Sequence, residues 1–219
     1  GKADDGIRIL ENGSVINAKA DKGSVYLQGA GNGDAGLVVD SITAKENAKL
    51  NMNGNVNFGN GAGNGSINVG GDVTVNGNNV NLNAGTVAAG GASDINADND
   101  VNVTTGSITA KGASNITAGN DVNLNAGTVT ASGASAINAG NDVNVTTGSI
   151  TAKGAGNITA GNNVNLNSST LVAGADSVIT ATNGNIALGS SDITVKGANN
   201  GLKLDANGRV MQDAAAAGI

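Results

Sequence analysis

The chain has 219 residues and a formal net charge of −6, with neither cysteine nor histidine. That excludes disulfides, zinc sites, thiol nucleophiles and imidazole bases together; the acidity, with basic residues spread singly, argues against nucleic acid and anionic lipid as partners. One Tyr, one Phe, no Trp and no Pro beside 36 Gly exclude an aromatic-rich globular core and suit long β-ladders around a thin aliphatic interior.

No run of 18 apolar residues occurs, so no stretch reads as a membrane-spanning helix. The pattern is already under way at Gly1, without a signal peptide, and the sequence reads as a piece of a longer protein. Residues 1–72 carry short apolar alternations separated by Gly, Asn and Asp. Strands are expected at Ile7–Leu10, Val15–Asn17, Val25–Leu27, Leu37–Val39, Ile42–Ala44, Leu50–Met52, Val56–Phe58 and Ile67–Val69. Lys45–Leu50 has the makings of a single helical turn. The larger side chains Tyr26, Met52 and Phe58 all lie here, which implies wider or less regular coils.

From 73 to 196 the spacing settles at about 21 residues, a fixed period in the range that marks a solenoid. Ile95, Ile116, Ile137, Ile158 and Ile179 form one column; Val101, Val122, Val143 and Val164 a second; Ile108, Val129, Ile150 and Leu171 a third. A double period is also present: Asn99–Asn125 and Asn141–Asn167 differ only at Ser114/Gly156 and Asp121/Asn163. After Ile179 the spacing loosens, and 197–219 reads as a last coil or a cap.

Within one repeat, Ile116/Ala118, Val122/Leu124 and Val129/Ala131 alternate with polar residues. Each set describes a strand of three to five residues with one buried face. Asn and Gly at the three intervening corners can adopt the left-handed conformation that sharp turns need. Three strands and three corners close a triangle, and the next repeat must stack on it about 4.8 Å away. The prediction is an all-β fold: a parallel β-helix of triangular section, with three short strands per ~21-residue coil and roughly ten coils.

The outward positions form columns too. Asn81, Asn102, Asn123, Asn144 and Asn165 are expected to stack on one face beside Asn83, Thr104, Asn125, Thr146 and Asn167. Stacked amides can hydrogen-bond along the axis, so this is a structural ladder or, alternatively, a ligand-binding wall. Asp100, Asp121 and Asp142 recur at one corner, as turn chemistry, with calcium bridging a lesser alternative that needs six or more oxygen ligands. Gly31-Asn32-Gly33-Asp34-Ala35-Gly36 matches a dinucleotide-binding glycine pattern, but a strand follows instead of a helix and Asn51 stands where the acid belongs. The Asn-x-Ser/Thr sequons at Asn12, Asn64, Asn102, Asn115, Asn144, Asn157 and Asn167 are what an Asn- and Thr-rich chain produces by chance, with glycosylation as a further option. Asn207-Gly208-Arg209 is too short to support a receptor. No cofactor is expected. Carboxylates are few and sit at corners, with no long loop to shape a cleft, so an enzyme is not expected.

Runs such as Gly119-Asn120-Asp121-Val122-Asn123-Leu124-Asn125-Ala126-Gly127-Thr128-Val129 and Gly106-Ser107-Ile108-Thr109-Ala110 resemble the haemagglutinin repeats of filamentous-haemagglutinin-type exoproteins. These include adhesins, biofilm-matrix proteins and contact-dependent-inhibition toxin carriers of Gram-negative bacteria. The resemblance is clearest over 73–196. It implies a right-handed β-helical shaft, an outer-membrane secretion partner of the two-partner type, folding outside the cell, and display at the bacterial surface or in the medium. The function expected from it is a structural shaft that projects or scaffolds binding or effector regions, toward a host-cell or polysaccharide receptor. A direct polysaccharide- or ice-binding Asn/Thr face is the alternative; the regular part lacks aromatics for sugar stacking, and Thr alternates with Asn where ice would call for regular Thr rows.

Overall fold

The structure, a computed structural model, describes residues 7–10, 13–29, 36–59 and 64–212. Every element among them is a β-strand. Each coil contributes three strands, exemplified by Ser114–Ala118, Val122–Asn125 and Thr128–Ala131, here called the first, second and third faces. All strand pairing is parallel and runs between successive coils: Val101 lies opposite Val122, Val122 opposite Val143, and Val143 opposite Val164. The chain is thus a parallel β-solenoid of about nine turns.

Strict alternation produces this arrangement. Each face reads buried–outward–buried, as in Ser135–Ala139, so every second side chain enters one interior. Ile95, Ile116, Ile137, Ile158 and Ile179 are fully buried there, as are Val101, Val122, Val143 and Val164. One coil alone leaves these side chains open above and below, so the core is a property of the stack. The first face forms a 10-stranded sheet, whereas the second and third join into one 17-stranded sheet.

The join is made by Leu37–Ala44, which pairs with strands of both faces; the corner between second and third faces departs from the expectation of Asn or Gly in left-handed conformation. Positive φ falls instead on Ala84, Thr105, Ala126, Thr147 and Ser168, and no glycine between 73 and 188 has it. The amides of these corner residues still reach the next coil, as in Thr105 N–H to Asn125 O at 2.9 Å and Ala126 N–H to Thr146 O at 2.9 Å. The ladder therefore continues around the bend and holds a conformation that costs an L-residue about 1–2 kcal/mol. The glycine that follows serves close approach. A Cβ on Gly127 would lie 2.8 Å from the Val103 carbonyl oxygen, and one on Gly85 would lie 2.5 Å from the Phe58 Cβ.

The amino-terminal coils are less regular. Leu37–Val39 and Ile42–Ala44 are parts of one strand, Leu37–Ala44, which serves both second and third faces. Its pairing with Val15–Ala20 shifts register between Ile16 and Asn17, leaving Asp40 as an extra, bulged residue. The strand expected at Leu50–Met52 is present and begins at Ala48, so the helical turn that Lys45–Leu50 could have formed is absent; Ala48–Met52 pairs with Val25–Gly29 on one side and Val73–Gly77 on the other. Two ladders outweigh one isolated turn. Phe58 and Met52 are buried in the interior here, while Tyr26 lies half-buried on the outer side. The glycine pattern at 31–35 and the alanine-rich 213–219 lie outside the described residues.

Candidate functional site

The second face carries the columns that the repeat spacing singles out. Asn81, Asn102, Asn123, Asn144 and Asn165 occupy equivalent outward positions in successive coils. Each amide nitrogen donates to the amide oxygen of the coil before it: Asn102 to Asn81, Asn123 to Asn102 and Asn144 to Asn123 at 2.9 Å, and Asn165 to Asn144 at 2.8 Å. Asn57, which the sequence reading did not include, starts the file by accepting from Asn81 at 2.8 Å. The pairs are half-buried, so competition from water is reduced and every inner donor and acceptor faces a neighbour of its own kind.

The adjacent column behaves differently. Asn83, Thr104, Asn125, Thr146 and Asn167 are in register, yet no side-chain hydrogen bond joins one to the next among the described residues. Asn167 only accepts from the neighbouring Ser168 hydroxyl, at 3.4 Å. The structure therefore separates the ten residues into a bonded file and a parallel file of free polar ends beside the left-handed corner.

A second ladder runs along the corner between first and second faces. The Asp100 Oδ1 accepts the backbone N–H of Asp121 at 3.1 Å and the amide of Asn120 at 2.9 Å. Asp121 serves Asp142 and Asn141 likewise, at 3.0 and 2.9 Å, and Asp142 accepts both bonds from Asn163, at 2.8 and 3.1 Å. Asn79 and Asn163 hold the same post with an amide oxygen. The recurring aspartates are thus coil-to-coil clasps, in which a carboxylate and a carboxamide are interchangeable. Among the described residues, no group of three or more acidic side chains is arranged to hold a metal ion. The spacing of Asn79, Asp100, Asp121, Asp142 and Asn163 was visible in the sequence, but their acceptor role needs the structure.

The interior contains polar groups that the sequence reading missed. Ser93, Ser114 and Ser135 are fully buried in one column on the first face, and their hydroxyls have no partner among the described residues. Where Gly156 interrupts this column, its N–H donates to the Ser177 hydroxyl at 2.9 Å, which in turn donates to the Ala175 carbonyl. Another buried pair, Ser169 and Ser191, bonds hydroxyl to hydroxyl at 2.9 Å in the column that glycines fill elsewhere.

The sequons sort by geometry. Asn102 and Asn144 belong to the amide file, and Asn115 donates to Asp94 at 2.7 Å. The Asn157 amide oxygen accepts from Val178 N–H at 2.9 Å, Asn64 is exposed, and Asn12 lies outside the described residues. Among the described residues, no helix is long and apolar enough to cross a membrane. No protein-family model, curated protein or solved structure matches this chain in the comparisons made with each.

Proposed function

We propose that the chain is a rigid shaft from a large secreted bacterial surface protein of the filamentous-haemagglutinin type: an adhesin, a biofilm-matrix protein or a contact-dependent-inhibition carrier. On this reading an outer-membrane secretion partner exports the chain, which folds outside the cell without cofactor or catalysis. The shaft then holds binding or effector regions away from the surface, toward a host-cell or polysaccharide receptor.

One observation carries this reading. The Asn81–Asn165 file and the Asn79–Asn163 clasps use outward polar groups to bond coil to coil. A wall built to grip a ligand would leave those groups free; a beam ties them together. The near-identity of 99–125 and 141–167 fits the same reading, since a beam needs repetition and not a unique constellation.

The test is to remove residues 99–140, one double repeat, from the full-length exported protein. The junction restores an Asp-Asn step like the native one. A shaft is expected to stay folded, to shorten by roughly 10 Å at ~4.8 Å per coil, and to keep attachment of the displaying cell. Abolished attachment with an intact fold and intact surface display would contradict the shaft and favour a binding wall on these coils.

A further inference from the structure

We propose that the first face is a self-association surface, on which a second copy of this chain packs with its axis parallel and its acidic edge against the basic edge of the first. The proposal rests on the fold and its charges alone, independently of the shaft reading.

Between 73 and 196 the chain has three basic residues, Lys111, Lys153 and Lys196. All three stand at the corner leading into the first face, immediately after the third-face strands Ser107–Ala110, Ser149–Ala152 and Asp192–Val195. At the opposite border of the same face stand Asp98, Asp100, Asp121 and Asp142, with no basic residue beside them in this stretch. From 93 to 160 the first face is therefore a sheet with one positive and one negative margin; beyond it, Asp176 stands on the lysine side, at the corner before Ser177–Ala181.

Neither margin is neutralised from within. The ion pairs among the described residues, Lys19–Asp21 and Lys203–Asp205, involve other positions. Asp98 is exposed, and its carboxylate makes no hydrogen bond among the described residues; it sits on the rim of a shallow polar groove with Asn76, Asn96 and Thr117. Asp100, Asp121 and Asp142 keep their negative charge while serving as clasps to uncharged N–H donors, and the other nearby carboxylates also accept hydrogen bonds. Asp94 accepts from Asn115 at 2.7 Å, and Asp176 accepts from the N–H groups of Asn200 and Gly201 at 3.1 and 3.0 Å.

Spacing selects the orientation. Lys111 to Lys153 spans two coils, as does Asp100 to Asp142, and Lys111 falls midway in sequence between Asp100 and Asp121. A twofold axis parallel to the coil axis sets the positive margin of each copy against the negative margin of the other, at both borders and at matching height. An antiparallel pair would oppose like charges. The contact is isologous and closes as a dimer, and opposite potentials fix its register.

Sedimentation velocity on the full chain tests this. At about 0.1 M salt the Debye length of ~10 Å damps repulsion between the two net negative charges more than attraction between adjoining ones. A concentration-dependent dimer is expected there, and a dissociation constant about tenfold weaker near 1 M, where the screening length is ~3 Å. Two variants sharpen it: Lys111→Glu with Lys153→Glu, and Asp98→Lys with Asp100→Asn, Asp121→Asn and Asp142→Asn. The second keeps the corner clasps, because Asn79 and Asn163 already serve that role with amides. Each variant alone is expected to be monomeric with an unchanged circular dichroism spectrum, and an equimolar mixture to form the mixed dimer. A monomer at 0.1 M salt overturns the proposal. So does a dimer indifferent to salt and to both variants, which would place the contact elsewhere, or a mixture that stays monomeric.

Discussion

The coils from 93 to 181 and the stretch that follows, 182–212, use the same strands and corners but are not equally buried. Ile137 and Ile158 are wholly enclosed, whereas Leu202 and Leu204 are only partly buried, and Val210 and Met211 stand 48% and 42% exposed. Spacing differs too. Ser114 pairs with Ser135, one regular period on, while Ser177 pairs with Leu202 across a longer stretch of chain. The central coils turn on corners of two or three residues, such as Lys111-Gly112-Ala113 and Gly119-Asn120-Asp121. The longer coil has extra residues at 196–201, and a single side chain gathers them: the Asp176 carboxylate accepts the N–H groups of Asn200, Gly201 and Asn199 at 3.1, 3.0 and 3.4 Å. Enclosure therefore depends on having a coil on each side; a regular corner needs one side-chain clasp to a single backbone N–H, as Asp100 makes to Asp121, whereas the longer corner needs three N–H groups gathered by Asp176.

The sharpest break in that comparison is a core truncation placed in each region. Ile137→Ala is expected to cost about 2–5 kcal/mol, and Leu204→Ala about 1 kcal/mol because its side chain is already partly in water. Urea titration followed by circular dichroism reads both, and equal costs would erase the distinction between middle and end. Corners give the next largest contrast. A Cβ on Gly140 would fall 2.0 Å from the Gly119 carbonyl oxygen, whereas Gly201, at φ +62, has nothing within 4 Å. Gly140→Ala is expected to cost about 3 kcal/mol through forced separation of coils, and Gly201→Ala about 1–2 kcal/mol through backbone conformation alone.

Smaller effects come from polar groups. Asn123→Ala strips the Asn102 oxygen of its donor and the Asn144 amide of its acceptor, and a loss of about 1 kcal/mol is expected. Ser114→Ala removes a buried hydroxyl without a partner, so stability should hold or rise by up to about 1 kcal/mol; a marked loss would mean that the hydroxyl has a bonding role. The last prediction concerns the 196–201 segment. The N–H of Asn200, then those of Gly201 and Asn199, hold the Asp176 carboxyl below its ordinary value of 3.8, against an upward pull from desolvation. A lowered folded value stabilises above the unfolded value and ceases to do so as pH falls through the folded one. Hydrogen-exchange protection of Asn200 and Gly201, corrected for intrinsic rate, should hold from neutral pH down to about 4 and fall below it. Asp176→Asn should weaken that pH dependence.

Much of the fold was legible in the columns. Ile95 to Ile179 and Val101 to Val164 recur at a fixed step, and with alternating burial a fixed step leaves few alternatives to stacked coils. The outward Asn81–Asn165 file was legible for the same reason. What was not legible depends on neighbours absent from a single repeat. Positive φ at Thr105 and Ala126 is imposed by ladder bonds to the next coil, against local preference, so residue type pointed to the wrong positions. At Lys45–Leu50 local propensity alone left a helical turn open, because the two ladders that claim Ala48–Met52 come from distant segments. Asp100, Asp121 and Asp142 were legible as turn chemistry at one corner, but their clasp role was not, because each carboxylate accepts a backbone N–H of the next coil, a neighbour absent from a single repeat.

The central claim is that equivalent positions in successive repeats lie directly on one another. The chain has no cysteine, so paired substitutions report on it without background. Asn102→Cys with Asn123→Cys places thiols on adjacent coils about 5 Å apart, and Asn102→Cys with Asn144→Cys places them about 10 Å apart. With a thiol crosslinker too short to reach across two coils, the first pair is expected to crosslink within the monomer and the second to remain free. Crosslinking of the 102/144 pair in preference to 102/123 would contradict the stacked-coil architecture and the shaft built upon it.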